Sequence, residues 1–294
     1  MAMQPDDISV PMNVAGASPT LQQQDAIPGR LVRLRRGGPT LARKVVIRAV
    51  QLAAGLLVWH AVVAVLAIDP QIVPRPLDVV RMLWALAMSG QLTDATWVTL
   101  QETLVGFVIG SVLGIGLAVL LSEVRVLRQI LQPYVVALQA VPKVAVAPLF
   151  LIWFGFGIQS KVALVISIMF FPVLVNTLVG LESVDADQLE LMRAYRASRW
   201  QTLRRVKLYV ALPYVFASFE VCLVLSLTAA VVAEMLGSGT TIGLGTLINI
   251  YSARMASVAV FAVLVVLSVL GVVLHGLVLL AASRCLSWQR PPGR

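Results

Sequence analysis

An all-α integral membrane bundle of six spanning helices is the fold this sequence predicts, on three observations. Only 13% of the 294 residues are charged and 59% are hydrophobic, with a mean hydropathy of +0.89. Soluble domains carry about 25% charged residues, so the chain lacks the polar side chains to cover a water-facing surface. Six windows reach the about 20 apolar residues that a span requires. They are Val46–Ala67, Trp97–Leu121, Ile130–Phe154, Val162–Leu181, Leu208–Met235 and Val258–Ala282. The charges, finally, gather at the ends of these windows, as topology signals do. No stripe of Lys and Arg interleaved with aromatics offers itself to nucleic acid, despite the net charge of +9.

Residues 1–42 are polar with scattered Pro and Gly, too poor in apolar residues for a signal-peptide core, and read as a flexible cytoplasmic tail. The first spanning helix takes 43–68. Over 69–94 an outer segment contains PLDVVRMLWALAMSG, where Pro76 sits at a helix start and Gly90 just past its end. A short helix lying at the membrane surface is expected there. A five-helix core follows over 95–283. Its first span repeats Gly106, Gly110 and Gly114 every four residues, a small stripe for close approach of a neighbouring backbone. Whether that neighbour is in the same chain or a second copy is open at this stage. Pro142, Lys143 and Pro148 break the next window, so a broken rather than straight span is expected. Asn176, four residues after Pro172, is placed to repair the hydrogen bond the proline removes. Gly237–Gly245 reads as a tight or re-entrant turn in preference to an anion nest. Residues 284–294 form a cytoplasmic tail.

Lys and Arg set the orientation. With the N-terminus inside, the inner segments hold 18 of them and the outer ones four (Arg75, Arg81, Lys161, Arg254), Lys143 lying within a span. Both termini are therefore expected in the cytoplasm, and so is the long loop 182–207.

That loop contains ELMRAYRASRWQTLRRVKLYVALP, from Glu190 to Pro213. Asp185 and Asp187 mark a helix start, and Ala197–Ser198 offers a break and a new cap. Two short helices with an elbow should project from the bilayer, with Leu191, Met192, Tyr195 and Trp200 among arginines. Such a face suits a docking anchor; the plainer reading is a basic loop pinned to anionic headgroups.

The same stretch resembles the EAA loop of permease subunits of type I ABC importers. Glu190 stands at that motif's Glu, Leu191 and Met192 at its two alanines, Arg196 at its Gly, and Leu208–Tyr209 at its Leu-Pro. The resemblance extends over QAVPKVAVAPLFLIWFGFG, FFPVLVNTLVGLESVDADQLELMRA, ALPYVFAS and VVAEMLGSGTTIGLGTLI. It points to the branch handling nitrate, sulfonates, taurine and thiamine-type pyrimidine precursors. It implies the type I importer permease fold and a translocation pathway for a small organic or inorganic solute. It implies as partners a second permease subunit, most simply a homodimer, two cytoplasmic ATP-binding subunits and a periplasmic or lipid-anchored solute-binding protein. It places the assembly in a bacterial inner membrane. ATP would be used by the partner subunit, with no cofactor or metal on this chain. Coupling would fall to Glu190, Leu191, Met192, Tyr195, Arg196, Ala197, Ser198 and Trp200. Arg196 replaces a Gly that permits a sharp turn, so either the elbow is helical through Arg196 or the ATPase has a compensating groove.

Ionisable residues at depth are the candidates for the path or gate. Lys143 sits in the Pro-flanked break and Glu220 near mid-span, with Lys143 as a possible partner. Glu234 precedes the Gly-rich turn, where a cap or gate contact fits it. Glu102 lies about one turn inside its span, within reach of water. A Glu at 102 leans toward a neutral or cationic heterocycle as solute. The alternative is a secondary transporter driven by an ion gradient, with Glu102, Lys143 and Glu220 as its relay. An enzyme is disfavoured, because two isolated histidines, His60 and His275, and scattered glutamates form no catalytic cluster.

Overall fold

The structure is a computed structural model describing residues 41–66, 69–237 and 241–287. The tail expected over 1–42 and the end of the chain past 287 lie almost wholly outside them. Two units divide at residue 51, Met1–Gln51 and Leu52–Arg294. The described part of the first is helical backbone; all contacts below are within the second.

Eleven helices are described. α1 covers Leu41–Val65 and α2 Pro76–Met88, the latter with Pro76 in its first turn and Asp78 close behind. Both features suit a helix start, since Pro has no N–H to lose there and a carboxylate faces the positive end. Gly90 then turns the chain at φ 77° directly into α3, Gln91–Glu123. α4 (Arg125–Ala140) is followed by a 3-10 turn over Lys143–Val146 and by α5 (Ala147–Phe154). α6 is Ile158–Glu182, α7 Ala186–Ala194 and α8 Arg199–Thr202. A π turn over Leu203–Lys207 leads into α9, Leu208–Leu236, followed by α10 (Leu244–Ala253) and α11 (Ser257–Cys285).

Four helices are long and apolar enough to cross a membrane: α3, α6, the continuous run Arg199–Leu236, and α11. The pair α4 and α5 would make a fifth, bent by 84° at its break. The expected break is therefore present, with Pro142 capping the 3-10 turn and Pro148 opening α5. The described apolar part of α1, Ala53–Val65, falls short of a full span, so the sixth crossing stays an expectation.

α3, α6 and α9 form the centre. Cβ atoms built on Gly106, Gly110 and Gly114 would fall 2.5 Å from Val165, 2.9 Å from Met169 and 3.1 Å from Val173 respectively. The partner is always 59 residues further along, and the same offset relates Glu102 to Lys161. α3 and α6 therefore run parallel and in register, and the neighbour that the glycine stripe admits is in the same chain. α9 runs antiparallel to α6: Gly180 abuts Ala211 at one end, and Leu164 packs with Ala233 at the other.

Two differences from the sequence reading concern proline and glycine segments. Asn176 Nδ2 donates to the carbonyl of Pro172 itself, at 2.8 Å. It does not replace the bond the proline removes, whose acceptor lies a turn earlier. Gly243 caps and Gly245 lies in the first turn of a helix unassigned from sequence, α10; Ser238–Thr240 of that segment lie outside the described residues. Its signal was readable: Leu244, Leu247, Ile248 and Tyr251 are spaced i, i+3, i+4, i+7, and the first three are buried against Leu92, Ala95 and Val263.

Candidate functional site

The loop between α6 and α9 is a defined elbow. Asp185 caps α7, its side chain accepting from the N–H of Asp187. At the other end the N–H of Ala197 donates to Met192 O and that of Arg196 to Arg193 O, both at 2.9 Å. This pair of bonds is a Schellman closure, which requires the residue at Arg196 to be left-handed. Arg196 has φ 52°. The elbow is thus not helical through Arg196; the arginine adopts the conformation a glycine would take without strain. Replacing it should therefore stabilise the chain: Arg196→Gly is expected to add about 1 kcal/mol, read as a raised unfolding midpoint in detergent.

Ser198 then starts α8 with a capping box, its hydroxyl accepting from Gln201 N while Gln201 Oε1 accepts from Ser198 N at 2.8 Å. Leu203 anchors the π turn in a core of Ala118, Leu121, Leu174, Leu181 and Ala211. Lys207 pairs with Glu123 at 2.7 Å, and Arg128 pairs with Glu182. These contacts fasten the elbow to α3, α6 and α9. Leu191, Tyr195 and Trp200 meanwhile stay 57%, 77% and 66% exposed, and Glu190 is exposed beside them. Met192 is half-buried on the inner side.

At the opposite end of the central helices lies a buried polar cluster that the sequence reading saw only in part. Lys161 and Glu102 are both wholly buried and pair at 2.9 Å. Lys161 also donates to Thr241 Oγ1 at 3.3 Å. Glu234, equally buried, accepts from Thr99 Oγ1 at 2.7 Å and from the backbone N–H of Gly245 at 2.5 Å. Thr99 Oγ1 in turn accepts from the N–H of Leu244 at 2.8 Å. The Glu234 carboxylate thus caps the N-terminus of α10, and the anion favoured by that helix end is the chain's own side chain. Glu102 does not reach water as the sequence suggested, and so presents no charge to a passing solute in this conformation. Lys161, assigned to an outer loop from its position before an apolar run, was the residue missed. The i to i+59 match to Glu102 has no signature in a single sequence.

Lys143 lies at the break between α4 and α5, its ammonium 5.2 Å from the centre of the Phe171 ring and donating to the Gln139 carbonyl. Glu220 is half-buried and, among the described residues, has no ion-pair partner; Lys143 does not supply one. Among the described residues no hydrogen bond or ion pair joins Glu102, Lys143 and Glu220 into a relay.

A parallel α3–α6 pair crossed by α9, with an elbow between α6 and α9, can be compared with known proteins. Residues 106–285 match the family described as "Binding-protein-dependent transport system inner membrane component". The chain belongs to this family. The permease is 35% identical over 234 residues to the riboflavin transport system permease protein RibX of Chloroflexus aurantiacus, covering 80% of this chain and 87% of that one. It is 30% identical to the putative aliphatic sulfonates transport permease protein SsuC of Bacillus subtilis, over 80% of this chain and 84% of the relative. The same identity relates it to the taurine transport system permease protein TauC of Escherichia coli, with 80% and 86% covered. A chain of the inward-facing MetNI methionine ABC transporter superposes with a TM-score of 0.60 at 22% identity, covering 68% of this permease and 98% of that chain. That likeness carries the type I importer permease fold. The chain is thus the membrane-embedded permease subunit of an ABC import system, a transport component that works with an ATPase and a solute-binding protein.

Proposed function

We propose that two copies of this permease enclose one pathway in a bacterial inner membrane, with their termini in the cytoplasm and one ATPase subunit docked on each elbow. A solute-binding protein would deliver substrate at the opposite face. The observation that carries this reading is the exposed trio Leu191, Tyr195 and Trp200 on a segment capped at both ends and bolted to the core by Leu203 and Lys207. A lever has to be stiff where it is pushed and joined where it acts, and both conditions are met. Glu190, Arg196, Ala197 and Ser198 shape it. The basic-loop reading does not account for the caps, since a loop pinned by charge alone needs none. The solute is a small molecule of the nitrate, sulfonate, taurine or pyrimidine-precursor type, or a related heterocycle. Support comes from relatives named for riboflavin, sulfonates and taurine. We assign Lys143 and Glu220 to the pathway or its gate, and Glu102 and Glu234 to fixing the outer end of the bundle.

Aromatic anchors of this kind contribute about 2 kcal/mol or more at interfaces, equivalent to about 30-fold in affinity. In proteoliposomes containing the whole transporter, Trp200→Ala should weaken ATPase retention by about that factor and reduce uptake accordingly. Membrane insertion should be unchanged. Normal uptake by Trp200→Ala and Tyr195→Ala together would overturn the docking role.

A further inference from the structure

The elbow has a second face. Leu189 and Arg193, four apart and so on one side of α7, point away from Leu191 and, with Ala197 beyond the turn, line a cavity of about 750 Å3. Its other walls are the α3–α4 turn with Glu123 and Arg125, and the α8–π segment with Arg199, Thr202 and Lys207. The charge here is unbalanced. Lys207 is neutralised by Glu123 at 2.7 Å, but Arg125, Arg193 and Arg199 have no acidic partner among the described residues. Three guanidinium groups lining one space favour an anion among them, and their planar fork of donors matches phosphate oxygens. The rim adds a second feature. Val124 and Val126 border the cavity. Beyond them α4 buries no residue in this chain and exposes Val126, Ile130 and Tyr134. The opening thus joins a phosphate-suited chamber to an apolar helix face, which a free ion would leave unused.

We propose that this cavity is a phosphate site that takes the headgroup of an anionic phospholipid, its acyl chains lying along α4. The bound headgroup wedges the elbow against the α3–α4 turn, so that lipid composition adjusts the stiffness of the lever from behind while the Trp200 face stays free.

The test uses the full chain, purified in detergent, stripped of lipid and followed by native mass spectrometry. Phosphatidylglycerol, phosphatidylcholine and inorganic phosphate are added separately and in competition. One phosphatidylglycerol per chain should be retained in preference to phosphatidylcholine. Arg193→Gln with Arg199→Gln should weaken retention by about tenfold or more, two charge-assisted contacts being lost. Arg204→Gln with Arg205→Gln, outside the cavity wall, should leave it unchanged. Equal retention of the two lipids, or of phosphatidylglycerol by the first double variant and the wild type, would overturn the site. Displacement of the lipid by millimolar phosphate, dependent on the same two arginines, would overturn the lipid as source and leave a soluble phosphate ligand. Because no ATPase enters the lipid assay, its failure leaves the docking proposal standing, and the reverse holds too.

Discussion

Lys161→Met will destabilise the permease by about 3–5 kcal/mol, the usual cost of removing one partner from a buried ion pair. The reason is what the substitution leaves behind. Glu102 would be left unpaired, either charged or forced to take up a proton, in a site with no exposure to solvent, with Glu234 and the hydroxyl of Thr99 already committed to α10. One of its oxygens, Oε2, has no hydrogen-bond partner even with Lys161 present. The check is the unfolding midpoint of the purified chain in mixed micelles, set against the double variant Lys161→Met, Glu102→Gln. Removing both charges should recover most of the loss, because a neutral pair of similar volume carries no uncompensated ion. A single variant as stable as the wild type would show that the site is wetter than its burial implies.

Gly106→Leu is the second large effect, a loss of about 3 kcal/mol at the upper end of what overpacking costs. A Cβ on Gly106 would already sit 2.5 Å from Val165 Cγ1 and 2.6 Å from its Cβ. The remaining leucine atoms then have to force α3 and α6 apart. Gly116, two residues past the stripe, has open space within 4 Å, so Gly116→Leu on the same helix should be nearly neutral. Thermal unfolding of the two variants side by side separates packing from a general intolerance of bulk. Compensation by Val165→Ala in the Gly106→Leu background would confirm the contact.

Much of the fold was legible because the membrane leaves few solutions. Apolar length located the four long spans, paired prolines located the 84° break, and Pro76 and Gly90 bracketed α2. The glycine stripe announced close packing without naming its partner, which only the three-dimensional register supplies. Motif and composition located the elbow, and its caps at Asp185 and Ser198 follow the side-chain rules for helix starts. Its turn did not follow: Arg196 hides a glycine-like conformation behind a residue that ordinarily avoids it. The outer cluster was the least legible part. Lys161 looked like a loop charge because it adjoins an apolar run. Its true setting depends on Glu102 being delivered 59 positions earlier in the chain by a parallel helix. Long-range polar pairing of this kind leaves no periodicity to read.

The constant offset along α3 and α6 also limits how this gene can gain or lose codons. Between the two helices, the connecting turns can absorb insertions without disturbing the seam. Inside either helix, one added residue rotates everything beyond it by about 100° and swings the glycines off their notches. Four added residues make slightly more than one turn and bring small side chains back close to line. Length variation among functional descendants should therefore accumulate at the turns, and within these two rods come only in steps close to a full coil.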